Sequence, residues 1–172
     1  AIRGACHLRN GAYGMDKENK FDRFKYDKAL ERGKKMIGKE DAYTIVDSFI
    51  ICKFTRGIYD GMDEMAQVYE EVTGIPMTGD YLIKRAQAIL NLSKAYNIRE
   101  GWTRADDHPP RKFFEVPHSR GPCKGVLLEE KGFQKLLSGY YEARGWDPET
   151  GIPTKETLKS LDLEYVINDM PY

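Results

Sequence analysis

The sequence lacks three features that would place it in common classes of protein. It has no apolar run of about 18 residues, the length that a membrane-spanning helix needs, so we expect no membrane partner. Its 27 Lys and Arg are balanced by 27 Asp and Glu, whereas nucleic-acid-binding domains usually carry a basic excess. We therefore expect no nucleic-acid partner. No charged-then-apolar N-terminal pattern typical of a signal peptide is present either.

Cysteine is scarce, and its three copies are far apart at Cys6, Cys52 and Cys123. An odd number at wide spacing argues against a disulfide framework and favours a reducing, cytoplasmic location. The sequence contains no Cys-x-x-Cys pair. A four-iron cluster usually takes four cysteine thiolates, so this chain cannot supply all the ligands of such a cluster.

Helical periodicity dominates the sequence, and strand-like alternation is rare. Gly and Pro residues interrupt the pattern where helices usually end. The spacing predicts helices at about 41–54, 60–72, 80–99, 129–144 and 153–161. In the first of these, Ile45, Val46, Phe49, Ile50 and Phe54 would share one buried face. The fold class is therefore predicted to be all-α, an irregular helical bundle.

Residues 103–125 interrupt the helical pattern. Four prolines, at positions 109, 110, 117 and 122, disfavour regular structure there. Irregular segments of this length inside a domain are uncommon and often functional. Two interpretations remain open: a surface crossover fixed by the prolines, or a wall of a substrate channel. The charged or titratable residues that would line such a channel are Arg104, Asp106, Asp107, His108, Arg111 and His118.

Candidate chemistry concentrates on a few side chains in the first third of the chain. Cys52 lies in the helix predicted for 41–54, where it is either a small core residue or a ligand. Asp47 precedes it on the same segment and must hydrogen-bond or stay solvated. Cys6 and His7 are adjacent, and both types bind metals or move protons. Their spacing to Cys52 does not form a known metal motif.

Four segments resemble the aldehyde:ferredoxin oxidoreductase family, in the family's order. Residues 3–9, Arg-Gly-Ala-Cys-His-Leu-Arg, are similar to its Arg-Gly-Ala-Cys-His segment. Residues 47–52 resemble its Asp-x-x-Gly-Leu-Cys pterin motif, with Ile50-Ile51 in place of Gly-Leu. Residues 97–107 resemble its Asn-x-Arg-Glu-Gly-Phe-x-Arg-x-Asp-Asp stretch, and residues 140–154 resemble its C-terminal signature. Together the four span nearly the whole chain, from residue 3 to residue 154.

The resemblance implies a tungsten, rarely molybdenum, bis-pterin cofactor beside a [4Fe–4S] cluster. Family members oxidise aldehydes to carboxylic acids and pass electrons to ferredoxin. Cys52 would be the fourth ligand of the cluster, and Asp47 would hydrogen-bond one pterin. Ile51 and Lys53 flank Cys52 in the same cofactor-binding stretch. His7 would be the catalytic proton donor or acceptor.

The resemblance also implies that residues 1–172 form one C-terminal helical domain. The N-terminal domains with the pterin platform and the other cluster cysteines would precede Ala1, so we expect this chain alone to be inactive. Those domains, ferredoxin, an aldehyde and a second copy of the full enzyme are the expected partners. Two alternatives remain: the tungsten subunit of an aromatic acyl-CoA reductase, and a metal-free helical interaction domain in which Cys52 is a core thiol.

Overall fold

A computed structural model describes residues 2, 6–17, 24–55, 57–121 and 123–172. These residues contain no β-strand, and none of their helices is long and apolar enough to cross a membrane. The predicted all-α class is confirmed. The helices are α1 His7–Asn10, α2 Ala12–Lys17, α3 Ala29–Ser48, α4 Met62–Thr73, α5 Gly79–Arg99, α6 Lys112–Glu115, α7 Glu130–Arg144 and α8 Lys155–Ser160. Short 3₁₀ helices span Lys53–Thr55, Arg104–Asp107 and Glu164–Asp169.

Helices α3 and α7 form the centre of the fold and approach each other closely at two glycines. A Cβ atom on Gly33 of α3 would lie 2.5 Å from the carbonyl oxygen of Gly139 of α7. A Cβ atom on Gly139 would lie 2.4 Å from the carbonyl carbon of Ala29. Because any larger side chain would push the backbones apart, these glycines are required by the packing.

Several helix ends match the sequence signals. The Thr78 hydroxyl accepts a hydrogen bond from the Tyr81 N–H at 3.2 Å and so caps the start of α5. Thr154 caps α8 in the same way. Gly74 and Gly145 end α4 and α7 in the left-handed conformation, with φ of 71° and 72°. The predicted ends of these helices are confirmed.

The helix predicted for 41–54 is wrong at both ends. Helix α3 begins at Ala29 and ends at Ser48, so Cys52 lies beyond the helix instead of within it. Ile50, which adopts φ of 58°, turns the chain out of the helix. Ile50 and Phe54, predicted on the buried face, are 94% and 92% exposed. The helical pattern of apolar residues thus continues past the point where the backbone leaves the helix.

Helix α5 buries polar residues that its apolar stripe did not predict. Leu82, Ala86 and Leu90 are buried as expected, but Ile89 is exposed. Lys94 lies in the interior because its ammonium donates to Asp107 Oδ2 at 2.7 Å. A charge paired in this way can replace an apolar residue at a core position.

The Lys94–Asp107 pair holds the start of the proline-rich segment against α5, and further contacts hold it against α7. The Tyr141 hydroxyl donates to the same Asp107 oxygen at 2.5 Å. Arg104 donates to the Gln134 side chain and to the Ser138 hydroxyl at 3.1 Å, both on α7. These internal contacts support the interpretation of residues 103–125 as a fixed crossover.

A second buried ionic cluster joins α3 to α7. The Arg144 guanidinium donates to Glu40 at 2.7 Å and to Asp41 at 2.6 Å, and the Tyr140 hydroxyl donates to Glu40 at 2.5 Å. Burial raises the pKa of the Asp41 carboxyl above its ordinary value, and Arg144 only partly offsets that effect. The nearby Glu40 carboxylate also raises the pKa of Asp41, because two carboxylates share one guanidinium there.

Candidate functional site

Helix α1 lies against the C-terminal end of α3, which brings the first resemblance segment to the second. Gly11 ends α1 with φ of 59° and packs on the ring of Tyr43 from α3. The Lys53 ammonium, from the turn after α3, donates to the Leu8 carbonyl oxygen of α1. Residues some 40 positions apart in the sequence therefore form one surface.

Asp47 occupies the last turn of α3 and faces this surface. Its Oδ2 accepts from Lys53 Nζ at 2.9 Å and lies 3.5 Å from a terminal guanidinium nitrogen of Arg9. About a third of the Asp47 side chain (36%) is exposed. No described residue donates to its other oxygen, Oδ1, which can accept an N–H from a ligand.

The turn after α3 is a Schellman motif. The Ile51 N–H bonds the Val46 carbonyl at 3.1 Å, and the Ile50 N–H bonds the Asp47 carbonyl at 3.1 Å. This motif places its C′ residue, here Ile50, in the left-handed conformation, where glycine is preferred. Ile51 packs its half-buried side chain on the cluster containing Val46. The glycine of the resembled motif thus corresponds to the one position in this turn with positive φ.

Cys52 follows the Schellman turn with an exposed side chain. Its carbonyl accepts from the Thr55 N–H at 2.9 Å and from the Thr55 hydroxyl at 2.7 Å, which fixes the backbone in the 3₁₀ turn. Ile50, Phe54 and Ile58 nearby in sequence are also exposed. We call these four residues the Cys52 patch. Several exposed apolar side chains so close in sequence suit a surface that another element covers.

The structure brings together some of the predicted site residues. Asp47 and Lys53 are in direct contact, and Ile51 and Cys52 follow Asp47 through the turn. His7 is the first residue of α1, but its side chain lies outside the described residues, as do residues 1 and 3–5 of its segment. Sequence reasoning missed Arg9, whose guanidinium approaches Asp47 from α1. Its position two residues after His7, in the same segment, was the available signal.

The site fits one corner of an iron–sulfur and pterin centre. An exposed thiolate can ligate a metal whose other ligands come from a second segment, whereas a thiol sealed in the core cannot. The described residues contain no group of three or more His, Cys, Asp or Glu that could hold a metal ion by themselves. Cys52 can contribute one ligand and Asp47 one hydrogen-bond acceptor, and further ligands must come from elsewhere.

A family model and several curated proteins match most of this chain. The family model described as aldehyde ferredoxin oxidoreductase, domains 2 and 3, matches residues 1–163. The tungsten-containing aldehyde ferredoxin oxidoreductase of Pyrococcus furiosus is 31% identical over 166 residues, which cover 94% of this chain and 26% of that protein. Its Pyrococcus horikoshii counterpart is 30% identical over 167 residues, with the same coverages.

A solved structure extends the similarity to three dimensions. It is the active site complex BamBC of benzoyl coenzyme A reductase with 1,5-dienoyl-CoA, which aligns with a TM-score of 0.67 and 27% identity. The alignment covers 83% of this chain and 21% of that one. The chain spans about a quarter of the length of the curated relatives that it matches (26% of the first two). On the match to residues 1–163, the chain belongs to the aldehyde ferredoxin oxidoreductase family of tungsten-containing oxidoreductases.

Proposed function

We propose that this chain forms the C-terminal helical part of a tungsten-pterin oxidoreductase that oxidises an aldehyde to a carboxylic acid. The reaction consumes one water and releases two protons and two electrons. The electrons pass to ferredoxin. The observation that carries the proposal is the exposed thiol of Cys52, which lies one turn beyond the partly exposed carboxylate of Asp47. When bound, a tungsten-pterin cofactor would supply the two-electron chemistry.

The residues of this chain have separate tasks in the proposal. Cys52 is the fourth ligand of the [4Fe–4S] cluster, and its neighbours Ile51 and Lys53 shape the cofactor-binding turn. Asp47 accepts an N–H of one pterin at its Oδ1 oxygen, because Oδ2 already accepts from Lys53. His7 moves a proton between the reacting aldehyde and water, since imidazole titrates near neutral pH.

The partners follow from the same assignment. The other cluster ligands and the pterin platform come from the portion of the enzyme that this chain does not cover in its longer relatives. Ferredoxin accepts the electrons. A cytoplasmic location suits the reduced thiols, and the full enzyme forms a homodimer. Molybdenum in place of tungsten is the alternative metal.

A cysteine swap in the enzyme that carries these residues tests the proposal. We expect Cys52→Ser to lose most of the iron and the electron-paramagnetic-resonance signal of the reduced cluster, because serine is a poor cluster ligand. Cys123→Ser is the matched control, since Cys123 lies in a distant turn, and it should keep both. Full iron content and wild-type aldehyde oxidation in Cys52→Ser would overturn the assignment.

His7→Asn should lower turnover with metal content unchanged, and an unaltered pH profile would remove His7 from the mechanism.

A second candidate function is reduction of an aromatic acyl-CoA ester. The structural similarity to the BamBC complex of benzoyl coenzyme A reductase favours it. The two functions differ in substrate, so the same purified enzyme distinguishes them. Dye reduction with a panel of aldehydes supports the first, and activity confined to aryl-CoA esters supports the second.

A further inference from the structure

We propose that Lys53 is a positioning residue, whose ammonium locks α1 to the end of α3 and so sets where His7 lies relative to Cys52. The inference rests on the proposed function, because it matters only if His7 and Cys52 serve one site. It adds to that function a residue that holds the two halves of the site together.

The Lys53 side chain is shielded from solvent, whereas the residues on either side of it are exposed. Its side chain is only 13% exposed, between Cys52 and Phe54, which both point into solvent. Lysine usually keeps its ammonium in water and buries only its stem. A lysine withdrawn from solvent in an otherwise exposed turn therefore indicates an ammonium with internal partners.

Among the described residues, groups from two helices surround that ammonium. The Leu8 carbonyl oxygen of α1 accepts one hydrogen bond, and Asp47 Oδ2 of α3 accepts another at 2.9 Å. The ring centroid of Tyr43, also on α3, lies 5.1 Å away, within the range of a cation–π contact. One nitrogen thus links the two helices directly.

Helix α1 needs such a link because it is too short to be stable by itself. It has four residues, and isolated helices below about 12 residues are marginal in water. Its last carbonyls have no partner within the helix, and the Lys53 ammonium satisfies one of them at the end where positive charge is favourable. Tyr43 packing on Gly11 and the longer Arg9–Asp47 contact at 3.5 Å add to this attachment.

Hydrogen exchange in the protein that carries these residues tests the inference. We expect Lys53→Met to raise amide exchange across residues 9–14 by roughly tenfold, the equivalent of one lost charge-assisted hydrogen bond, while α5 and α7 keep wild-type protection. Alkylation of the half-buried Cys6, which precedes α1, should accelerate by a similar factor. Lys53→Arg should restore both rates, because its guanidinium can also bridge the carbonyl and the carboxylate.

The control is Lys39→Met, which removes an exposed lysine from α3 and should leave every rate unchanged. Unaltered exchange across 9–14 in Lys53→Met would overturn the inference. A uniform rise throughout the chain would also overturn it, since that result indicates general destabilisation. None of these readouts requires bound metal. If Lys53→Met releases α1 while Cys52→Ser keeps its iron, Lys53 does attach α1 to α3, but the proposed function fails and with it the meaning of that attachment for His7.

Discussion

The α3–α7 core and the Cys52 patch lie at opposite extremes of burial. In the core, Arg144 of α7 pairs with Glu40 and Asp41 of α3, and beside it Lys94 of α5 pairs with Asp107 at side-chain exposures of 1% and 2%. In the patch, Ile50 and Phe54 are almost fully exposed. The core thus contains paired charges among its buried apolar residues, whereas the patch exposes large apolar side chains.

The difference indicates where the fold obtains its stability. Buried ion pairs tolerate no loss of one partner, because the remaining charge is left in a poorly polarisable interior. The patch contributes little to the free energy of unfolding of this chain, since its apolar groups remain in water. Because the core stabilises the fold, the Cys52 patch is free to have a composition that suits contact with another element.

The largest expected effect is the loss of Lys94 from the core. Lys94→Met leaves Asp107 buried without its cation, and we expect the free energy of unfolding to fall by about 3–5 kcal/mol. Urea denaturation followed by circular dichroism measures the change. The double variant Lys94→Met, Asp107→Asn removes the stranded charge and should recover part of the loss. A single-variant loss below about 1 kcal/mol would mean that the pair is solvated, which contradicts its described burial.

A smaller effect is expected at the crossing of α3 and α7. Gly33→Ala places a methyl group against the Gly139 carbonyl, and overpacking of this kind costs about 1–3 kcal/mol. Gly38→Ala is the matched control on the same helix, because its Cβ would meet no atom within 4 Å. Alanine favours helix there by about 0.5–1 kcal/mol. Thermal melts of the two variants should shift in opposite directions, and equal shifts would contradict the close crossing.

Much of the fold was predictable from local signals. Thr78, Gly74 and Gly145 mark helix ends through interactions within a few residues, so α4, α5 and α7 follow from the sequence. The burial of Lys94 was not predictable from the α5 pattern, because it depends on Asp107, 13 positions away, folding back onto the helix. Pairings between distant segments leave no periodic trace.

The site residues remain a prediction from the resemblance, which named Asp47 and Cys52, and the sequence did not predict their geometry. The apolar spacing placed Cys52 inside a helix, because Ile50 and Phe54 continue the pattern of α3. The backbone leaves the helix through a Schellman turn, whose usual glycine is absent here. The contact of Lys53 with Leu8 spans 45 positions, and neither residue type alone suggests it.

The smallest expected effect has the opposite sign and lies in the patch. Ile50→Gly removes the cost of a branched side chain at φ of 58°, about 1–2 kcal/mol, against about 0.5–1 kcal/mol for glycine's greater freedom when unfolded. The Ile50 side chain is 94% exposed, so almost no packing is lost. We expect a net gain of up to about 1 kcal/mol in the free energy of unfolding, measured by urea denaturation.

The control is Ile58→Gly, at an exposed position without positive φ, which should lose stability instead. If both variants lose equally, the left-handed turn before Cys52 does not exist in solution. If only Ile50→Gly gains, isoleucine is retained there at the expense of stability, which favours a role in contact with a covering element.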